Sequence, residues 1–263
     1  SIIERANILG RSISSQETMT AEVVDSSTRY FAHPEARESQ SDMISDGIEA
    51  LLCEGTLLAS APTGIGKTAA SLASAIKVQR SSSDNLKVLF LTGRQSQHKI
   101  VVDTVLKINQ KLGSTEPSIR LVDLIGREGM CQNVDRMTGK CDCEDQLDGT
   151  MREELRADMQ ANILRRATHV DELIQNSRRV NLCPWATARE AVKNCDILVC
   201  DYNHVFIDSV REASLASMGV DIENTILVVD EAHNLPDRVR NGMERRIISN
   251  TFRDARFEVQ EHL

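Results

Sequence analysis

The sequence predicts an α/β architecture built on a doubly wound parallel sheet, and three observations carry that prediction. Short apolar runs alternate with helical patterns, which is the rhythm of successive βαβ units. A Gly/Thr-rich loop, Ala61-Pro62-Thr63-Gly64-Ile65-Gly66-Lys67-Thr68, joins one apolar run to a helical pattern. The string Asp230-Glu231-Ala232-His233 closes a later apolar run. Open α/β sheets bind ligands beyond the C-terminal ends of their strands, so both strings belong to one edge.

Along the chain, residues 1–29 are Ser/Thr-rich with little periodicity and read as a tail or upstream element of no assigned role. Met43, Ile44, Ile48, Leu51 and Leu52 recur at helical spacing and predict a helix over 40–53. The first strand is expected at 56–61. An Ala-rich helix over 67–79 follows the loop, and the turn formers of 81–85 end it. A strand over 87–92, a helix over 97–112 and a third strand over 119–124 come next. The last two strands are expected at 196–200 and 225–229, the latter delivering Asp230 and Glu231 at its C-terminal end.

Between 126 and 195 the rhythm breaks. This segment holds Cys131, Cys141, Cys143 and Cys183, four of the seven cysteines, and a long charged helical stretch over 150–179. It reads as a small insertion, too polar to hold itself together without a staple. The expected division is 30–126 for the first part of a nucleotide-binding domain, 127–194 for the insertion and 195–236 for the remainder. Residues 237–263 begin a further element.

With 263 residues the chain can bury a large core. Its net charge of −8 argues against a general polyanion binder, so any nucleic-acid surface must be local. Arg/Lys excesses at 151–193 and 236–256 read on charge alone as solvated helix faces. Residues 1–10 carry Glu4 and Arg5 and show no export signal, and no apolar run approaches a membrane span. The odd cysteine count without such a signal points to an intracellular, reducing setting, cytoplasmic in a prokaryote or nuclear in a eukaryote. A start at Ser rather than Met suggests a processed protein or an excised piece.

The chemistry of the two strings is complementary. A Gly-rich turn aims successive backbone N–H groups inward, and the following helix N-terminus adds a positive dipole end, so the loop suits phosphates. Lys67 is placed for the β- and γ-phosphates, and the Thr68 hydroxyl for Mg²⁺. Asp230 would complete the metal shell, and Glu231 would orient or deprotonate the attacking water. Together they read as an ATPase.

Cys131, Cys141, Cys143 and Cys183 lie in a polar insertion, and the surroundings of the first three do not look like core. As thiolates around iron–sulfur or zinc they would tie the two ends of the insertion together, and spacing alone leaves the metal open. Cys53, Cys195 and Cys200 sit in apolar patterns and read as core.

With these motifs in view, the chain from Tyr30 onward resembles the XPD/Rad3 group of superfamily 2 DNA helicases, its archaeal members above all. The group's phosphate loop commonly reads Ala-Pro-Thr-Gly-x-Gly-Lys-Thr, as here. Arg37-Glu38-Ser39-Gln40 resembles its adenine-sensing motif, with Gln40 reading the base. Leu91-Thr92-Gly93-Arg94-Gln95-Ser96-Gln97 sits where its DNA-backbone motif lies, which implies DNA contacts from Arg94 and Gln97. Asp201-Tyr202-Asn203-His204-Val205-Phe206 is similar to its Tyr-Asn-Tyr-Leu-type signature. The resemblance implies that the four cysteines hold a [4Fe–4S] cluster, with Cys183-Pro184-Trp185 matching the usual ending. The Cys141-Asp142-Cys143 pair departs from the group's wider spacing.

What the resemblance implies is a RecA-like doubly wound sheet with an iron–sulfur insertion and an arch-like insertion beginning at 237. It further implies an ATP-dependent DNA helicase in DNA repair, acting on single strands and duplex forks, with ATP, Mg²⁺ and possible repair-complex proteins as partners. His233 would couple the ATP site to the strand, and a second RecA-like domain would complete the motor. Alternatives are a DinG-like helicase, a DEAH RNA helicase without a cluster, or a metal-stapled DNA-binding module with a regulatory nucleotide site.

Overall fold

The computed structural model describes residues 28–62, 64–131, 133–135, 138, 140–244, 256 and 258–260. Thr63, positions 1–27 of the expected N-terminal element and most of 237–263 beyond Glu244 lie outside the described residues.

Four parallel strands form one sheet in the order β2-β3-β1-β4. They are β1 (Lys87–Leu91), β2 (Leu121–Asp123), β3 (Ile197–Cys200) and β4 (Thr225–Val229). In register, Leu89 of β1 stands opposite Leu198 of β3 and Leu227 of β4. The jump from β1 to β2 and back through β3 is the winding that βαβ connections give.

Alternate strand residues face opposite layers. Val88, Phe90, Leu121, Ile197, Val199 and Ile226 meet the first layer. That layer consists of α1 (Glu38–Leu52), α2 (Lys67–Ser81) and α3 (Gln95–Leu112). Small residues let α1 and α2 approach closely: a Cβ on Gly47 would lie 2.7 Å from Ser74 Oγ. Leu89, Leu91, Val122, Leu198 and Cys200 meet the second layer.

The second layer comes from the cysteine-bearing segment. A short helix α4 (Arg127–Met130) precedes α5 (Gly149–Arg165), α6 (Val170–Arg179) and α7 (Pro184–Val192). Met130, Ile163, Val170, Leu173, Ala188 and Ala191 pack onto the sheet's second face. Two buried polar anchors fix this layer. Lys87 Nζ donates to the carbonyls of Val192, Lys193 and Cys195 at 2.9–3.1 Å, where α7 ends. The buried Asp123 carboxylate meets His98 Nδ1 at 2.5 Å and accepts the Val170 N–H at 2.9 Å. After β3 come α8 (Asn203–Phe206) and α9 (Asp208–Ser214), and α10 (Leu235–Met243) follows β4.

Three expectations need correction. No strand forms over 56–61 among the described residues. That run has one β-branched residue, and Leu57 and Leu58 stay 40% and 89% exposed, so pairing would bury little apolar surface. The single helix expected over 150–179 is two helices. Arg166 turns extended, and His169 starts α6 by accepting the Asp171 N–H at 3.3 Å. Cys53 is exposed rather than core, because it lies past the last turn of α1 as its C-terminal cap; Cys195 and Cys200 are buried as expected.

Candidate nucleotide site, strand cleft and cysteine nest

The loop before α2 has the backbone its glycines permit. Gly64 and Gly66 take φ of +82° and +87°, and Gly66 caps α2 from the left-handed region. Lys67 starts α2, and its Nζ donates to the carbonyls of Ala61 at 3.0 Å and Pro62 at 3.3 Å. The ammonium thus lies across the concavity formed by its own loop. Thr68 is next on α2, on the same helix N-terminus, while Ile65 completes the turn. Gln40 Nε2 donates to the Ile65 carbonyl at 2.6 Å, and Gln40 Oε1 accepts the Arg37 N–H at 2.9 Å. Gln40 therefore joins the start of α1 to the loop and is buried there.

Asp230 follows β4 and continues its pairing, its N–H donating to the Leu91 carbonyl at 2.9 Å. Burial, then the charge of Glu231, pushes the Asp230 carboxyl above the usual carboxylate range; Lys67 pulls the other way. Glu231 has a φ of +49°, which turns the chain sharply as it leaves the sheet. His233 Nδ1 lies 3.3 Å from Glu231 Oε2 and is 71% exposed.

A cleft of about 450 Å³ opens beside these acids, lined by Arg94, Gln97, Glu231, His233, Asn234 and Arg238 among others. Arg94 and Gln97, expected from sequence to touch DNA, thus share one concavity with Glu231, expected from sequence to act on the attacking water. Tyr202 forms the wall between them. Its hydroxyl donates to the Asp230 carbonyl, and its ring lies 3.0 Å from where a Cβ on Gly93 would sit. Burial, then the Asp230 charge, raises the Tyr202 phenol pKa and keeps it a donor. Arg238 closes the other side, donating to the Gly93 carbonyl at 3.2 Å.

The four expected cysteines converge. The ligand atoms of Cys131, Cys141, Cys143 and Cys183 all lie within 4.8 Å of one another, and all four are free thiols. Cys131 and Cys143 sulfurs are 3.1 Å apart, and Cys141 and Cys183 sulfurs 3.8 Å. Burial pushes the Cys183 thiol up to about 11, and burial with the neighbouring thiols raises Cys143 as well. Burial also acts to raise Cys141, but the Cys143 backbone N–H and Arg127 outweigh it and lower that thiol. Four convergent thiols, two of them (Cys143 and Cys183) held protonated by burial, are a donor set that fits a cation, which would hold all four as thiolates.

Arg127 and Arg189 both stack over the Trp185 ring, at 4.6 and 4.2 Å from its centroid. Trp185 follows Cys183 by two residues, so this stack borders the nest. Sequence reading did not assign roles to Arg127, Arg189, Asn234 or Arg238. Arginine next to a lone tryptophan was a signal available for the first pair.

Residues 71–252 match the DEAD_2 family model. The chain belongs to the DEAD_2 family. The match takes in the cysteines and the Asp230–His233 string and begins just after the phosphate loop. Among curated relatives, the ATP-dependent DNA helicase XPD of Sulfolobus acidocaldarius is 27% identical over 218 residues, which cover 81% of this chain and 35% of that protein. The ATP-dependent DNA helicase chl1 of Schizosaccharomyces pombe is 27% identical over 169 residues, covering 58% of this chain and 19% of that protein. A solved structure titled XPD_Helicase superposes with a TM-score of 0.56 at 22% identity, covering 80% of this chain and 34% of that one. At that identity the likeness shows the shared fold. The chain spans about a third or less of these relatives, so it carries one part of what such DEAD_2 proteins contain.

Proposed function

We propose that this chain is the first motor domain of an ATP-dependent DNA helicase that couples hydrolysis to movement on single-stranded DNA and opens duplex forks, in DNA repair. One observation carries the reading: Glu231 and His233 share a single cleft with Arg94 and Gln97, next to the loop that Lys67 spans. The DNA helicases named among the relatives support it.

In this reading Lys67 leaves the Ala61 and Pro62 carbonyls for the β- and γ-phosphates, and the loop from Ala61 to Thr68, Thr63 included, wraps them. Thr68 and Asp230 hold Mg²⁺, which supplies charge neutralisation at the phosphates. Glu231 orients the attacking water, and His233, beside it, senses the strand. Arg94 and Gln97 meet the DNA backbone at the N-terminus of α3. Gln40 reads adenine while holding Ile65, and Arg37 supports that motif. Turnover requires a second RecA-like domain across the cleft.

The same reading divides the chain into a motor domain at 30–126 and 195–236, an iron–sulfur insertion at 127–194 and an arch-like element from 237. Cys131, Cys141, Cys143 and Cys183 hold a [4Fe–4S] cluster, and partners include repair proteins inside the cell. The sulfur spacing favours a second reading for the metal. A tetrahedral zinc with Zn–S of about 2.3 Å sets its sulfurs ~3.8 Å apart, which is the Cys141–Cys183 separation of 3.8 Å, while Cys131 and Cys143 lie closer at 3.1 Å.

Two measurements on the full-length protein test this. Lys67→Ala is expected to abolish ATP hydrolysis and strand displacement together; strand displacement that survives it contradicts a motor. Anaerobically purified protein is expected to be brown with about four irons per chain; a colourless protein with one zinc contradicts the cluster and leaves the motor standing.

A further inference from the structure

Beside the cysteine nest one carboxylate gathers partners from two elements, α5 and the start of α7. Glu144 follows Cys143 directly, and its side chain is 13% exposed. Its Oε1 accepts the backbone N–H of Cys183 at 3.0 Å, across 39 residues of sequence. Its Oε2 meets the Arg156 guanidinium, with Arg152 Nε at 3.8 Å. Arg156 also donates to Glu190 Oε1 at 3.0 Å, and Gln160 donates to Glu190 Oε2 at 2.6 Å.

Arg152, Arg156 and Gln160 recur every fourth residue and so share one face of α5. Glu190 lies on α7, the helix that Cys183 caps. One face of α5 therefore grips two things: the residue after the third cysteine and the helix behind the fourth. Unlike an isolated surface pair, each member of this lattice is already held by another, so less side-chain freedom is lost per contact.

This arrangement has two chemical consequences for the thiols. A metal site whose ligands are registered before the ion arrives binds more tightly, because less of the loop must be ordered on binding. The Cys183 N–H, directed to a carboxylate, is withdrawn from any nearby sulfur. N–H···S hydrogen bonds and positive net charge raise the reduction potential of an iron–sulfur centre. Glu144 removes a donor and adds a negative charge, so it acts in the opposite direction.

We propose that Glu144 is a positioning residue for the cysteine nest: it fixes Cys183 in register with Cys143 and, for an iron–sulfur centre, lowers its reduction potential. The inference rests on the nest holding a metal, whichever metal that is. The test uses full-length protein purified anaerobically with its metal, as wild type, Glu144→Gln, Arg156→Met and Asp145→Asn. Asp145 is the adjacent exposed carboxylate and serves as the charge control.

Metal per chain, the half-time of metal loss to a chelator and the midpoint potential are read. Glu144→Gln is expected to shorten the half-time about tenfold and to raise the potential, while Asp145→Asn leaves both at the wild-type value. Arg156→Met, which frees Glu144 without removing it, shortens the half-time as well. Wild-type retention in Glu144→Gln overturns the proposal, and so does an equal loss in Asp145→Asn. Faster loss with an unchanged potential keeps the positioning role and overturns the electrostatic one. Should Glu144→Gln fail to fold, Arg156→Met decides on the same half-time. Zinc in the wild type defeats the cluster reading while Glu144 is judged on zinc loss; a wild type without metal defeats both.

Discussion

Gln40 Nε2 donates to the Ile65 carbonyl at 2.6 Å, so the amide expected to read adenine already holds the phosphate loop. A Cβ on the neighbouring Gly66 would lie 2.6 Å from that same nitrogen, which leaves the two residues interlocked. Removing the amide leaves the loop less ordered before nucleotide arrives. Gln40→Ala is expected to raise KM for ATP about tenfold, the equivalent of one buried hydrogen bond of ~1.4 kcal/mol. Steady-state kinetics with ATP and GTP check it: a variant that loses only discrimination between the bases, with KM for ATP unchanged, contradicts the loop-holding role.

Asp230 sits in a different conflict. Its carboxyl is raised by burial first and by Glu231 second, with Lys67 opposing. A carboxyl whose folded pKa lies above its unfolded value favours the fold when protonated. The ionised form therefore costs the ligand-free protein stability at neutral pH, and that cost fades as pH falls through the raised pKa. Asp230→Asn is expected to raise the melting midpoint at neutral pH, with an advantage that shrinks toward about pH 4. The same variant loses Mg²⁺-dependent hydrolysis. Thermal melts across that range decide, and a lowered midpoint at neutral pH contradicts the account.

What sequence alone conveyed follows from how local the signals are. The run at 225–229 became β4 with its expected bounds, because a short, β-branched stretch before two acids has few other uses. The four cysteines of the polar insertion converged although they are spread over 53 positions, two of them (Cys131 and Cys183) buried and two (Cys141 and Cys143) half-buried. The strand expected at 56–61 depended on a partner edge, which a linear reading cannot supply. The break at Arg166 was signalled only by His169 ahead of Asp171 and Glu172, a weak cap within a strongly charged stretch. Asp123 and His98 are 25 residues apart and gave no periodic cue at all.

That pair predicts a large stability effect. Asp123 is fully buried, and its two oxygens serve His98 and the first N–H of α6. Asp123→Asn keeps the shape but removes the charge facing both. It is expected to cost about 3 kcal/mol in chemical denaturation, with faster hydrogen exchange at Val170. A loss under about 0.5 kcal/mol would place the pair among inert contacts.

His204 gives a pH dependence of its own. Burial lowers its pKa below the ordinary histidine value, against the Asp201 carbonyl and charge, with His98 also lowering it. A depressed basic pKa means the fold prefers the neutral ring. Its contribution is whole above the unfolded value of about 6.5 and is lost as pH falls through the folded pKa. His204→Gln should flatten the fall in denaturation midpoint below about pH 6.5. An unchanged slope in that range contradicts it.

On the proposed function, one cleft joins hydrolysis to strand contact through Tyr202, whose hydroxyl donates to the Asp230 carbonyl and whose ring lies against Gly93. The most direct measurement is steady-state ATP hydrolysis by the full-length protein with and without single-stranded DNA, for wild type, Glu231→Gln and Tyr202→Phe. DNA is expected to accelerate the wild type severalfold. Glu231→Gln should be inactive under both conditions, and Tyr202→Phe should keep basal turnover while losing most of the acceleration. Stimulated turnover in Glu231→Gln, or full stimulation in Tyr202→Phe, would contradict the coupling.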